Sequence, residues 1–275
     1  MESADTKSEA LKIYKYNPLI RGRIIGRLTD FDFLLMEILL RIAQKEMRQS
    51  LYCMFNPHRF NVYMPELKKL IYGENIAPIT WRLDVKRSLT RLRALTIELN
   101  NYEVPDEAYL AQENKLMDDP KNVKISKKVE FAAFGLCEEP KIANNTLYWG
   151  FSEFIVFWAW YKKNYTHIDV SQVRKLKSKY AQRIYEYIEY YVSINKSRGN
   201  NTDIITLNRS DFESIVNIEN DSVAVLFQKI RLGDFVVPEL KKIYPNIEIT
   251  SPKRSNVINI KLDSYATTQE TPNLH

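Results

Sequence analysis

Between Thr29 and Gln44 the apolar residues Phe31, Leu34, Leu35, Ile38, Leu39 and Ile42 fall on one helical face, and Thr29 or Asp30 stands where a cap belongs. This predicts a core helix. A short helix is predicted over Pro65–Ile71, opened by proline in its first turn, then a break at Gly73-Glu74-Asn75 and a longer helix near Thr80–Arg93. Leu95–Leu99, Val129–Phe134 and Thr146–Gly150 have the character of strands, with the polar stretch Asp106–Lys128 among them.

The order then recurs about 145 positions later. Val170–Val192 carries an apolar stripe at Val173, Leu176, Tyr180, Ile184, Tyr187 and Tyr191, and predicts one long helix. A short strand at Ile204–Leu207, a short helix at Asn208–Val216, and a helix capped by Asp221 or Ser222 and running to about Leu232 follow. Phe235–Ile243 continues as helix across Gly233. Ile247–Thr250 and Val257–Leu262 form a hairpin around Ser251–Asn256. Three helices and a small sheet, occurring twice, give an α+β chain of two tandem winged helix-turn-helix domains related by an internal pseudo-repeat. The boundary is placed at 1–165 and 166–275, with Tyr161–Asp169 as a short polar connection.

Composition narrows the classes of function. Lys and Arg number 40 against 34 Asp and Glu in 275 residues, a surplus of +6 that favours a polyanionic partner and is shared by both halves. Only 7 glycines occur, and neither GxGxxG nor GxxxxGK[ST] is present, so nucleotide cradles of those types are absent. Cys53 and Cys137 have no neighbouring Cys or His at ligand spacing, which points to reduced thiols and no structural metal. The residues Met1–Glu9 do not resemble a signal peptide, and the apolar run Phe151–Trp160 is about half the length of a bilayer crossing and contains Glu153. A cytoplasmic, non-membrane protein without a cofactor is expected. The aromatics Phe154, Phe157, Trp158 and Trp160 fit core or a dimer interface, or else a ligand pocket.

The run Leu176-Lys177-Ser178-Lys179-Tyr180-Ala181-Gln182-Arg183-Ile184-Tyr185-Glu186 resembles that of the theta-type, iteron-binding plasmid replication initiators. Tyr148–Trp160 is similar to the strand and aromatic helix that precede it there, and Pro238–Ile243 to a proline-led helix before the wing. In the amino-terminal half, Tyr16-Asn17-Pro18-Leu19 and the helix from Thr29 resemble the family's first winged helix. Leu232–Val237 departs from the pattern by lacking the basic residues usual before the proline-led helix. The resemblance implies a non-enzymatic protein that binds directly repeated sites in double-stranded DNA at a plasmid origin. It further implies origin opening, recruitment of a host initiator protein and the replicative helicase, and a homodimer that represses its own gene at an inverted repeat.

Residue chemistry supplies the candidate contacts. On the helix near Thr80–Arg93 one face is apolar and the other carries Arg82, Lys86, Arg87, Arg91 and Arg93, a stripe suited to phosphate. Arg21, Arg23 and Arg27 form a weaker cluster that an arm could bring to a groove or that is simply solvated. In the second helix-turn-helix, Ser222, Gln228, Lys229 and Arg231 are the polar side chains of the predicted recognition helix, and Lys253 and Arg254 stand at the tip of its wing. Arg183 is expected to hold its helix against its neighbours.

No catalytic residues are predicted. His58, His167 and His275 are isolated, whereas DNA nicking by a tyrosine needs a metal held beside it. The remaining rival is a winged-helix transcriptional regulator that binds an operator without a role in replication. Residue chemistry does not separate it from an initiator.

Overall fold

The computed structural model describes residues 12–49, 60–105, 125–152, 155, 165–199, 203–218, 222–252 and 255–262. Strand β1 (Lys12–Tyr16), the short helix α1 (Asn17–Arg21) and strand β2 (Arg23–Ile25) lead into the long helix α2 (Asp30–Gln49). Thr29 caps α2. Its N–H donates to Asp32 Oδ2 at 2.7 Å and the Asp32 N–H donates to Thr29 Oγ1 at 3.3 Å, a reciprocal capping arrangement. Leu35, Ile38 and Leu39 are buried, as their spacing predicts.

Strand β3 (Phe60–Tyr63) passes directly into α3 (Met64–Tyr72), and α4 (Trp81–Arg93) completes the helix-turn-helix. Between them Gly73 has a φ of 62°, and a Cβ there would lie 2.8 Å from a guanidinium nitrogen of Arg174. The positive φ calls for glycine, and an added Cβ would have to displace the end of the Arg174 side chain. Strands β4 (Thr96–Pro105) and β5 (Ile125–Gly135) form a long antiparallel hairpin with β2 on the other edge of β4. Then β6 (Cys137–Ala143) and β7 (Thr146–Phe151) form a second hairpin, with β7 between β6 and β3. Its turn residues Asn144 and Asn145 have φ of 48° and 60°, the two positive values that a tight two-residue hairpin turn requires. The three strand segments expected after α4 therefore belong to two sheets. The wing is β6–β7, and β4–β5 is an additional hairpin.

The polar stretch expected as a connection contains β8 (Tyr165–Asp169), which pairs antiparallel with β1 from Lys12↔Asp169 to Tyr16↔Tyr165. The proposed boundary falls at the first residue of this strand. The long helix predicted next is two helices, α5 (Val170–Lys175) and α6 (Lys179–Ser197). Ser178 separates them because its Oγ accepts from the Ala181 N–H as an N-cap, while Gln182 Nε2 donates to the Leu176 carbonyl at 2.8 Å.

The second winged helix is β9 (Ile204–Asn208), α7 (Arg209–Val216), α8 (Val223–Lys229), a π-helical turn over Leu232–Val236, α9 (Val237–Leu240), β10 (Glu248–Thr250) and β11 (Val257–Lys261). Asn208 caps α7 and Ser222 caps α8. The helix expected to run on across Gly233 is interrupted at Arg231, whose φ of 53° and ψ of 50° are left-handed. The sheet order β10-β11-β9 repeats β6-β7-β3: the last strand is central, between the strand before the helix-turn-helix and the middle strand. The chain is α+β, with two tandem winged helices.

Of the aromatic run that starts at the end of β7, Phe151 and Ile155 are buried. Phe154, Phe157, Trp158 and Trp160 lie outside the described residues.

Candidate nucleic-acid interface

The two winged helices are tied together through their interior. Alternation in β1 puts Lys15 on the same side as Ile13, so its side chain enters the core with only 3% of its surface exposed. There Lys15 Nζ lies 2.6 Å from Glu37 of α2 and 2.8 Å from Glu186 of α6. Arg183 sits one turn before Glu186 and pairs with its other carboxylate oxygen at 3.1 Å. The rest of the guanidinium donates to the carbonyls of Ile20 at 2.8 Å, Gly22 at 3.0 Å and Ile215 at 3.3 Å. Two cations and two carboxylates thus join β1, α1, α2, α6 and α7.

Burial acts to raise the pKa of both carboxyls. In Glu186 the charges of Lys15 and Arg183 overcome it and hold the group below the ordinary range. Glu37 has only Lys15 in its favour and the charge of Glu186 against it, and rises to about 7. A second tie runs from Arg174 of α5, which donates to the Leu70 carbonyl at the end of α3.

On this frame α4 presents Arg82, Lys86, Arg87 and Arg93 to solvent, while Val85, Ser88, Leu89 and Leu92 pack inward. Arg82 has a local partner, the side-chain oxygen of Asn145 in the wing turn, and its guanidinium lies over Trp81. Arg91 points elsewhere. It donates through two nitrogens to the fully buried carboxylate of Asp32, at 2.7 and 2.8 Å. Burial alone would raise Asp32, but Arg91, Ser88 and Thr29 together leave it below its ordinary value. Arg91 thus anchors α4 to the start of α2, and four cations remain on the outer face.

In the second unit Gln228, Lys229 and Arg231 are exposed, as expected. Ser222 accepts from the Val225 N–H at 3.3 Å, so its oxygen serves the helix as a cap. Lys253 and Arg254 lie outside the described residues. Arg21 and Arg23 open onto a cleft of about 820 Å³ between α1 and β2 on one side and α6 and α7 on the other, with Tyr187, Tyr190 and Arg198. Arg27 is exposed and does not line it.

Two features were missed in the sequence. Lys15 and Glu37 are single charges within apolar patterns, which is the signal that marks a buried pair. Asn144-Asn145 is a tight-turn signal that marks the first wing, where exposed Lys141 lies over the ring of Tyr148 with its Nζ 5.7 Å from the ring centre. Cys137 is free and buried, and burial, with the Glu138 charge, pushes its thiol up to about 12. Among the described residues no group of three or more His, Cys, Asp and Glu side chains converges as metal ligands, and no helix is long and apolar enough to cross a membrane.

Paired winged helices, the first with an exposed cationic helix, are the architecture of a DNA-binding protein. The family model described as Initiator Replication protein, WH1, matches residues 32–189, more than half of the chain. The chain belongs to this family of DNA-binding, non-catalytic plasmid replication initiators. The match falls largely on the amino-terminal half and ends within α6, just past the Leu176–Glu186 run. A crystal structure of domain 2 and domain 3 of RctB, as selenomethionine derivatives, is similar over 87% of this chain and 85% of that chain, at 10% identity and a TM-score of 0.43. That likeness is too loose to bear on individual residues. No curated protein matches the chain.

Proposed function

We propose that this initiator binds directly repeated origin sites sequence-specifically, opens adjacent AT-rich DNA, and recruits a host initiator protein and the replicative helicase. In this reading the second winged helix reads the major groove through Gln228, Lys229 and Arg231, with Ser222 at the helix start. The first grips neighbouring backbone through Arg82, Lys86, Arg87 and Arg93, and carries the contacts of a homodimer that represses the initiator's own gene at an inverted repeat. Lys253 and Arg254 add wing contacts, and the protein works in the cytoplasm.

The observation that supports this most is the repeated unit. The first copy carries an exposed basic helix, the second has Lys229 and Arg231 exposed at the end of α8, and a buried ionic cluster joins the two copies, which supports one chain meeting DNA at two points in a fixed relation. Two such contacts suit a site longer than one winged helix covers.

Permanganate footprinting on a supercoiled plasmid carrying the repeats and the AT-rich segment tests the replication role. The expected result is reactive thymines in the AT-rich segment only when the protein is added. Sequence-specific binding with no reactive thymines, together with repression of the adjacent promoter, would establish the transcriptional regulator instead.

A further inference from the structure

Arg231 is the one described residue other than Asn and Glu that takes a positive φ without being glycine, and it interrupts the element that begins with α8. Arg231 follows the C-cap of α8, where a left-handed residue ends a helix but glycine is the usual choice, and non-glycine residues held in this conformation concentrate where a surface has work to do. Its carbonyl accepts from the Phe235 N–H at 2.9 Å and from the Val236 N–H at 3.2 Å, which fixes the following turn in π geometry. Leu232 and Val236 are buried and hold that turn against the core. Gly233, Asp234 and Phe235 consequently face outward.

Phe235 is 37% exposed, a large aromatic four residues beyond Arg231, and the Arg231 guanidinium lies over its ring at 5.6 Å from the centroid. The ring limits the freedom of the guanidinium, and a planar fork held in place suits a guanine edge. An exposed apolar face beside it suits the methyl group that marks thymine in the major groove. The 5.6 Å separation corresponds to one or two base steps at ~3.4 Å each. Asp234, exposed next to Phe235 in the chain, adds a negative charge to this turn, which favours discrimination over general adhesion to phosphate.

We propose that Arg231 and Phe235 form one reading unit, Arg231 on a guanine and Phe235 on the methyl of a thymine one or two base pairs away. The proposal rests on the DNA-reading role of this element given above and adds what it recognises.

The full-length protein is used to select duplexes from a random-sequence pool, and each thymine of the selected site is then replaced singly by deoxyuracil, which removes only the methyl. One thymine, within two base pairs of a guanine that cannot be replaced by 7-deazaguanine, is expected to show about fourfold weaker binding, equivalent to ~0.8 kcal/mol for one buried methyl. In Phe235→Ala, deoxyuracil at that position has no further effect, whereas Phe235→Leu keeps part of it. Selection of a defined site with no deoxyuracil-sensitive thymine near a sensitive guanine overturns the proposal and leaves the DNA reading intact, and requires no variant to fold. A deoxyuracil effect unchanged in a folded Phe235→Ala also overturns it. A pool that yields no enriched sequence overturns the DNA reading together with this proposal.

Discussion

Lys15 and Glu186 are 171 positions apart in the sequence and meet at 2.8 Å in the interior. The same ammonium reaches Glu37 at 2.6 Å, so one charge joins the first strand, the first long helix and the long helix of the second half. With Glu37 ionised the cluster holds two cations and two carboxylates, and its close pairing is what makes the burial tolerable. Glu186 is the carboxylate that contacts both cations, so its removal leaves two buried positive charges uncompensated.

Glu186→Ala leaves the buried cations Lys15 and Arg183 without the carboxylate that both of them contact. A loss of about 3–5 kcal/mol is expected in urea denaturation, the range for breaking a buried pair from one side. Arg183→Met is expected to fall in the same range, because it also orphans the carbonyls of Ile20 and Gly22.

Glu37 makes stability depend on pH. Its pKa rises from 4.5 to about 7 on folding, so between these values the folded protein holds a proton that the unfolded chain has released. Stability is therefore expected to fall as pH rises from about 4.5 to about 7. Glu186 acts in the opposite sense, being depressed, and its contribution is lost as pH drops below the ordinary glutamate range. Denaturation midpoints across this window are expected to decline in the natural protein and to flatten in Glu37→Gln.

Arg91 and Lys86 stand on one helix with different tasks. Arg91→Ala leaves the buried Asp32 without its charged partner, and a loss of about 1–3 kcal/mol is expected because Arg91 itself is partly exposed. The slope of DNA affinity against salt should stay as it is. Lys86→Ala is expected to do the reverse, leaving the melting transition in place and reducing the salt slope by about one.

The helices were largely legible because burial of one face imprints a 3.6-residue period, as at Leu35, Ile38 and Leu39 in α2. The strands were less so. β8 is Tyr-Thr-His-Ile-Asp, polar enough to pass for a connection, and only its partner β1 at the far end of the sequence makes it a strand. Long-range pairing leaves no local trace. The break between α5 and α6 at Ser178 was hidden by an apolar stripe that continues across it.

The candidate site divides in the same way. Exposure of Lys86, Arg87, Gln228 and Lys229 followed from helical periodicity, since the polar face of an amphipathic helix is its outer face. The engagement of Arg91 with Asp32 depends on how α4 crosses α2, which no spacing within α4 encodes. The left-handed backbone at Arg231, where α8 ends and the chain turns so that Leu232 and Val236 are buried, is likewise not encoded in the helical period.

The two winged helices are expected to differ in what they contribute. Arg87→Ala should weaken binding to every duplex by a similar factor, whereas Lys229→Ala should chiefly erode the preference for the origin repeat. Affinities of both variants for repeat and scrambled duplexes check this.

The most direct test of the central claim is fluorescence anisotropy of the metal-free protein on a labelled duplex of the origin repeat and on a scrambled duplex, across a salt series. The account predicts tight, salt-sensitive binding that favours the repeat by ~10³ or more. Equal, weak binding to both duplexes would contradict it.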